Sequence, residues 1–170
     1  VNAEKSKIAR PHQIKYLGYG FYYNKTGIVK PKPHLKSIQK FKRKLKQLTR
    51  RSWSISLDER ITKLNQVIRG WINYFRIADM KMYMKDITYH LNRRIRCIIW
   101  KQWKVPKHRI ICLIKLGIDK NMAKACAYAR KSYWATSRVY PIHQAISNER
   151  LKRKGLIFPI DHYLRIHTTI

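Results

Sequence analysis

HLKSIQKFKRKLKQLTRRSWS, residues 34–54, holds eight Lys or Arg and no carboxylate. Within it Leu35, Ile38, Phe41, Leu45 and Leu48 recur every three or four positions, the spacing of one buried helix face. Pro33 suits a first helical turn, so the helix is expected to start near it. Lys36, Lys40, Arg43, Lys44 and Arg51 run down one flank, with Lys42, Lys46 and Arg50 on the other side. The apolar stripe should dock on a core and the charges should face out. So much like charge on one helix repels itself unless a polyanion lies along it.

The same imbalance runs through the whole chain. Its 170 residues carry a formal net charge of +31, from 39 Lys+Arg against 8 Asp+Glu. The basic residues are spread over both halves, and no acidic residue stands between Glu4 and Asp58. That distribution describes a basic body, not a basic tail. Apolar residues at 45% supply a real core, which excludes a disordered arm. Binding of a phosphate polyanion through counterion release is the first use for such an excess, and an anionic membrane surface is the rival. Cys97, Cys112 and Cys126 are widely spaced with no CxxC, so neither a zinc ribbon nor a redox motif is supported and buried thiols are expected. The longest wholly apolar run, Ile110 to Ile114, is too short to cross a bilayer, and no signal peptide is recognisable. The opening at Val1, in mid-pattern, reads as a piece of something longer.

Outward from the first helix, the pattern predicts a mainly α fold behind an N-terminal β-hairpin. Residues 1–12 read as an exposed entry segment. Aromatic and β-branched residues crowd Ile14 to Tyr23, turn chemistry follows at Asn24–Gly27, and a return strand at Ile28–Lys30 should stop at Pro31 and Pro33. Gly18 and Gly20 suggest close approach by another backbone. A second helix opens on the capping box Ser56-Leu57-Asp58-Glu59 and buries Ile61, Leu64, Ile68, Trp71, Ile72 and Phe75. Gly70 in its middle implies that a packed helix, or a nucleic acid backbone, uses the space. A third runs from Asp79 as cap to about Trp103, with Met84, Ile87, Leu91, Ile95 and Ile98 inward. On it Arg93, Arg96 and Lys104 form one line and Arg94 with Lys101 another, among Trp100 and Trp103. Shorter helices are expected at His108–Leu116, ended by Gly117, from Asp119 to about Lys131, and at Ser147–Lys154, ended by Gly155. Tyr133 and Trp134 fall in a loop, and the tail from Leu156 reads as irregular.

Catalytic chemistry is sparse. No Asp-Asp or Asp-x-Asp pair exists to hold two Mg²⁺ ions, and neither G-x-S-x-G nor H-E-x-x-H occurs. Asp161, His162 and His167 are of metal-binding type, but a surface tail accounts for them more simply. What remains is basic helices interleaved with aromatics: cations that neutralise phosphates and rings that can stack on unpaired bases.

The order KYLGYGFYYN, PHLKSIQKFKRKLKQLTRR, SLDERITKLNQVIRGWINYF, RRIRCIIWKQWK and LIKLGI resembles the maturase-specific region of group II intron-encoded reverse transcriptases. Its most specific part is N-x-x-x-R-G-W-x-N-Y-F, Asn65 to Phe75. The resemblance implies that residues 1–31 are the last strands of a polymerase palm and residues 32–170 a helical thumb, domain X. It implies a thumb that grips intron RNA for splicing and the RNA template–primer duplex for reverse transcription, with a DNA target as a further partner. The family's catalytic Tyr-Ala-Asp-Asp motif does not occur here, so no enzyme activity carries over to this chain alone. No cofactor is implied; Mg²⁺ belongs with the palm motif. A cytoplasmic bacterial location and no membrane partner are expected. RNA contacts are assigned to Lys36, Lys40, Arg43, Lys44, Arg50, Arg51, Arg69, Arg93, Arg94, Arg96, Lys101 and Lys104. Two other readings stand beside this one: one part of an active reverse transcriptase completed by a palm on another polypeptide, and a general basic protein of ribosomal or DNA-architectural type with no intron role.

Overall fold

In the computed structural model, which describes residues 9–167, the aromatic-rich stretch forms an antiparallel hairpin of β1 (Tyr19–Tyr23) and β2 (Val29–Pro33). The first eight residues of the expected entry segment lie outside the described residues. Asn24 closes the turn, its Oδ1 accepting from the amides of Thr26 (3.0 Å) and Ile28 (2.8 Å). β2 runs through both prolines instead of stopping at Lys30. Pro31 and Pro33 are two residues apart, opposite Phe21 and Tyr19, so both missing N–H groups face away from β1, which an edge strand permits. Gly18 has φ +85°, and its carbonyl accepts from His34 N (2.9 Å) and Ser37 Oγ (2.9 Å). A Cβ there would sit 3.1 Å from Ser37 Oγ, so the close neighbour is the start of the first helix. Gly20 keeps ordinary distances.

The hairpin is tied to the helices by its tyrosines. Tyr19 OH donates to the Tyr74 carbonyl (2.5 Å), Tyr74 OH to the Leu17 carbonyl (2.8 Å), and Tyr22 OH to Asp79 Oδ2 (2.6 Å). The bond to the Asp79 carboxylate needs the phenol proton, which pushes the Tyr22 pKa up to about 12. Asp79 is thereby a partner of the hairpin and not a helix cap; its amide also donates to Pro31 O (2.9 Å).

The helices are α1 (Leu35–Leu48), α2 (Leu57–Tyr74), α3 (Lys81–Gln102), α4 (Pro106–Lys115), α5 (Lys120–Tyr128), α6 (Tyr133–Thr136), α7 (Tyr140–Ala145), α8 (Asn148–Arg153) and α9 (Pro159–Ile166). α1 starts after Pro33, and the His34 ring accepts from Lys36 N (3.2 Å). Its buried stripe is Ile38, Phe41, Leu45 and Leu48, while Leu35 in the first turn stays exposed. α2 has its expected cap, Ser56 Oγ accepting from Glu59 N (3.1 Å). Trp71 of α2 stacks on Phe41 at 4.4 Å and 6°, locking α1 to α2. α3 is the central helix: Met84, Leu91 and Ile95 meet Leu64, Ile68 and Ile72 of α2 in a core that Leu113, Ile142, Leu151 and Tyr163 close from α4, α7, α8 and α9.

Several boundaries differ from expectation. The tail is helical, since Pro159 opens α9 at a position where its missing N–H costs nothing, and Tyr163 OH donates to Ala78 O (3.2 Å). Pro106 opens α4 in the same way, two residues before His108. The expected loop at Tyr133 and Trp134 is the short helix α6, capped by Ser132 Oγ on Ala135 N (3.2 Å). α7 follows it, also unforeseen. Asp119 and Ser147 cap α5 and α8 as expected. Cys97 and Cys126 are buried and Cys112 partly so; all are free thiols. Among the described residues, no helix is long and apolar enough to cross a membrane.

Gly70 has no neighbour within 4 Å of where a Cβ would lie, so no helix packs there among the described residues. Its only structural consequence is the helix-propensity penalty. Gly70→Ala is expected to stabilise the protein by up to about 1 kcal/mol, read as a raised urea midpoint at unchanged slope. A lowered midpoint would show that the bare backbone is needed for packing after all.

Candidate nucleic-acid interface

A helix rises 1.5 Å per residue, so basic groups four apart stand about 6 Å from each other along one line. Lys36, Lys40 and Arg43 of α1 occupy such a line opposite the buried stripe, with Lys44 beside it, and all four are exposed. Arg50 and Arg51, in the turn after α1, are exposed too. None of these side chains has a carboxylate partner, because the described carboxylates are committed elsewhere. Asp86 binds Lys42 (2.6 Å) and His90 (3.2 Å), Glu59 binds Lys63 (3.1 Å) and Asp161 binds Lys152 (2.6 Å). Asp119 caps α5, Asp79 holds Tyr22, and Asp58 and Glu149 sit in the first turns of α2 and α8. The hydrogen bond from Lys42, aided by His90, holds the Asp86 carboxyl below its ordinary range. Lys42 therefore serves the α1–α3 contact more than any external anion.

The C-terminal turn of α1 leaves carbonyls without intrahelical partners and carries partial negative charge. Three basic side chains converge on it. Arg60 of α2, only 1% exposed, donates through Nη1 to the carbonyls of Leu48 and Arg50 and through Nη2 to Trp53 O (2.7 Å). Arg94 of α3 donates through Nε to Thr49 Oγ1 (2.5 Å) and through Nη2 to the carbonyls of Lys46 and Thr49 (3.3 Å each). Lys101 Nζ donates to Arg51 O (3.0 Å). Burial lowers the pKa of both Arg60 and Arg94, yet each stays far above neutrality and charged. The turn at residues 49–53 is thus pinned from three sides, and this pinning aims Arg50 and Arg51 outward.

Between that turn, α3 and α6 lies a cleft of about 770 Å³ whose lining includes Lys46, Arg50, Arg51, Arg94 and Lys101 and no carboxylate. Two aromatic rings form its α6 wall. The Arg51 guanidinium lies 5.0 Å from the Tyr133 ring centroid, and Arg93 lies 3.6 Å from that of Trp134. Trp134 is 40% exposed. Its place here could have been found from Ser132, a capping residue three positions before Ala135.

The sequence-assigned residues divide into three groups. Lys36, Lys40, Arg43, Lys44, Arg50 and Arg51 share the α1 face and cleft rim, and Lys101 with half-buried Arg94 joins them from α3. Arg93 and Arg96, expected on the surface, are 8% and 3% exposed and turn inward to α6, α7 and α8. The correction has a simple cause: 22-residue α3 is surrounded by helices, so the side that carries Arg93 and Arg96 faces protein and not solvent. Burial, then Arg165 and last Arg69 push the pKa of His162 on α9 down; Arg69 is exposed on α2 and is not in the cleft lining. Lys104 is exposed at the α3–α4 junction with φ +42°. Of the tryptophans, Trp100 is buried, while Trp53 lies partly buried beneath Arg60 (5.2 Å) and Lys63 (5.7 Å). Asp161, His162 and His167 do not converge: Asp161 pairs with Lys152, His162 Nε2 donates to Asn73 Oδ1 (3.1 Å), and His167 Nδ1 donates to Arg76 O (2.7 Å). Among the described residues no group of three His, Cys, Asp or Glu could hold a metal ion.

Helical packing, an unpaired basic face and a carboxylate-free cleft define a basic helical domain whose positive charge is concentrated at the C-terminal turn of α1. Residues 38–113, from the first buried residue of α1 to the core residue Leu113 of α4, match the family model described as the group II intron, maturase-specific domain. Over that segment the chain is similar to the group II intron maturase-specific domain. No curated protein matches the chain.

Proposed function

We propose that this domain binds structured group II intron RNA across the exposed face of α1 and the cleft at its C-terminal turn. The observation that carries the reading is that the cleft brings Lys46, Arg50, Arg51, Arg94 and Lys101 together with no carboxylate among them. Two of the five, Arg94 and Lys101, are fixed by bonds to backbone carbonyls, so their positive charge is held in place before any partner arrives. A-form RNA offers phosphates and 2′-hydroxyls on a wide, shallow groove, which suits recognition by a convex basic helix through shape. In this reading residues 1–31 are the closing strands of a polymerase palm and residues 32–170 the thumb. The domain itself holds RNA and does no chemistry; the template–primer duplex would pass along the same face.

A competition titration tests it. Structured intron RNA should displace a labelled intron fragment at far lower concentration than duplex DNA or an unstructured single strand of equal length. Equal competition by all three would instead identify a general basic nucleic-acid-binding protein.

A further inference from the structure

Arg93 and Arg96 place two guanidinium groups inside the protein without a carboxylate partner. Arg93 Nε donates to Ser137 Oγ (3.2 Å) and Nη2 to Trp134 O (2.8 Å). Arg96 Nε donates to Ile146 O (2.8 Å) and Nη2 to Asn148 Oδ1 (2.9 Å). Every one of these acceptors is neutral. Glu149, whose field reaches Arg96, is exposed in the first turn of α8 and makes no ion pair with it. Among the described residues the Nη1 of each arginine has no acceptor, and neither is sealed from the surface in the way that Arg60 Nε, Asn92 Oδ1 and Arg109 Nε are.

Both arginines line a cleft of about 120 Å³, with Tyr89, Ser137, Arg138 and His143. Its volume equals that of roughly four liquid water molecules, enough for a tetrahedral oxyanion. Arg138 and His143 are exposed at its outer side. Burial, followed by the charge of Arg96, pushes the His143 pKa down from the ordinary histidine value. Buried charges are ordinarily paired, and here hydrogen bonds fix the two guanidiniums while leaving their charge unneutralised. Free N–H donors on planar forks are the chemistry that recognises phosphate.

We propose that this cleft is a phosphate-group site, with Arg93 and Arg96 at its buried side and Arg138 and His143 at its mouth. Inorganic phosphate and a backbone phosphate of RNA present the same chemistry to it. The site goes beyond the RNA reading, because it uses none of the residues that line the α1 cleft.

The test titrates inorganic phosphate into the full chain at constant ionic strength, by calorimetry, for the wild type and for Arg138→Gln/His143→Gln. Both replaced side chains are exposed, so the fold survives, which circular dichroism checks. The wild type should bind saturably, and the double variant roughly tenfold more weakly for the charge-assisted contact removed. Repeating the titration with saturating intron RNA separates the sources. Loss of phosphate binding assigns the site to an RNA phosphate, and its persistence assigns it to free phosphate; both support the site. No saturable binding, or equal affinity in the double variant, overturns it. Either of those failures leaves the α1 face and its RNA competition result untouched.

Discussion

Replacing Lys40, Arg43 and Lys44 together by Glu weakens binding of structured intron RNA by more than roughly tenfold, and flattens the log–log salt dependence by about 2 to 3. The slope change follows from three phosphate contacts at about 0.7 to 0.9 each. The affinity loss exceeds simple removal, because three carboxylates now face the phosphates. The replaced side chains are exposed and have no carboxylate partner, so the folded protein loses no ion pair. The buried stripe of Ile38, Phe41, Leu45 and Leu48 and the stack of Phe41 on Trp71 are untouched, so α1 keeps its helicity. Electrophoretic mobility shift at two salt concentrations, with circular dichroism as the control, measures it. A variant that binds like the wild type would remove the α1 face from the interface.

Arg60→Ala carries the largest expected effect on stability. The side chain is fully enclosed, and its guanidinium serves the carbonyls of Leu48, Arg50 and Trp53 while lying 5.2 Å from the Trp53 ring centroid. Truncation leaves buried acceptors without donors and a cavity where the stem packed. Each such loss costs about 1 to 3 kcal/mol, so a total of at least about 3 to 4 kcal/mol is expected, a large share of an ordinary domain's 5 to 15. The urea midpoint falls accordingly. A shift worth less than about 1 kcal/mol would mean that water takes over the carbonyls at no cost, and that the turn at residues 49–53 does not depend on Arg60.

The long helices were legible because their apolar residues recur over many turns. Ile38 to Leu48 and Ile61 to Phe75 each repeat often enough to mark a face, and Ser56, Asp119 and Ser147 announce the starts of α2, α5 and α8. α6 and α7, at four and six residues, complete too few turns to show a period. α9 was missed although Pro159 stands at its first position with Ile160 and Tyr163 three apart, a start signal masked by the unpatterned residues before it. The candidate interface was half legible. Lys36, Lys40, Arg43 and Lys44 lie on a helix with one solvent face, so spacing alone told where they point. Arg60, Arg93 and Arg96 did not follow that logic. A guanidinium can be enclosed if backbone carbonyls and neutral side chains take its donors, and no periodicity reveals which carbonyls will be left open at a helix end three elements away. In a chain with 39 basic and 8 acidic residues, carbonyl caps are one way to bury some of the excess, while the α1 face stays open to an external polyanion.

The salt dependence of intron RNA binding by the unmodified protein tests that face most directly. Engagement of about six phosphates by Lys36, Lys40, Arg43, Lys44, Arg50 and Arg51 predicts a slope of log K against log salt of about −4 to −5 between low and moderate salt. A slope near zero, with affinity retained across that range, would contradict the account, since binding would then rest on contacts that release no counterions.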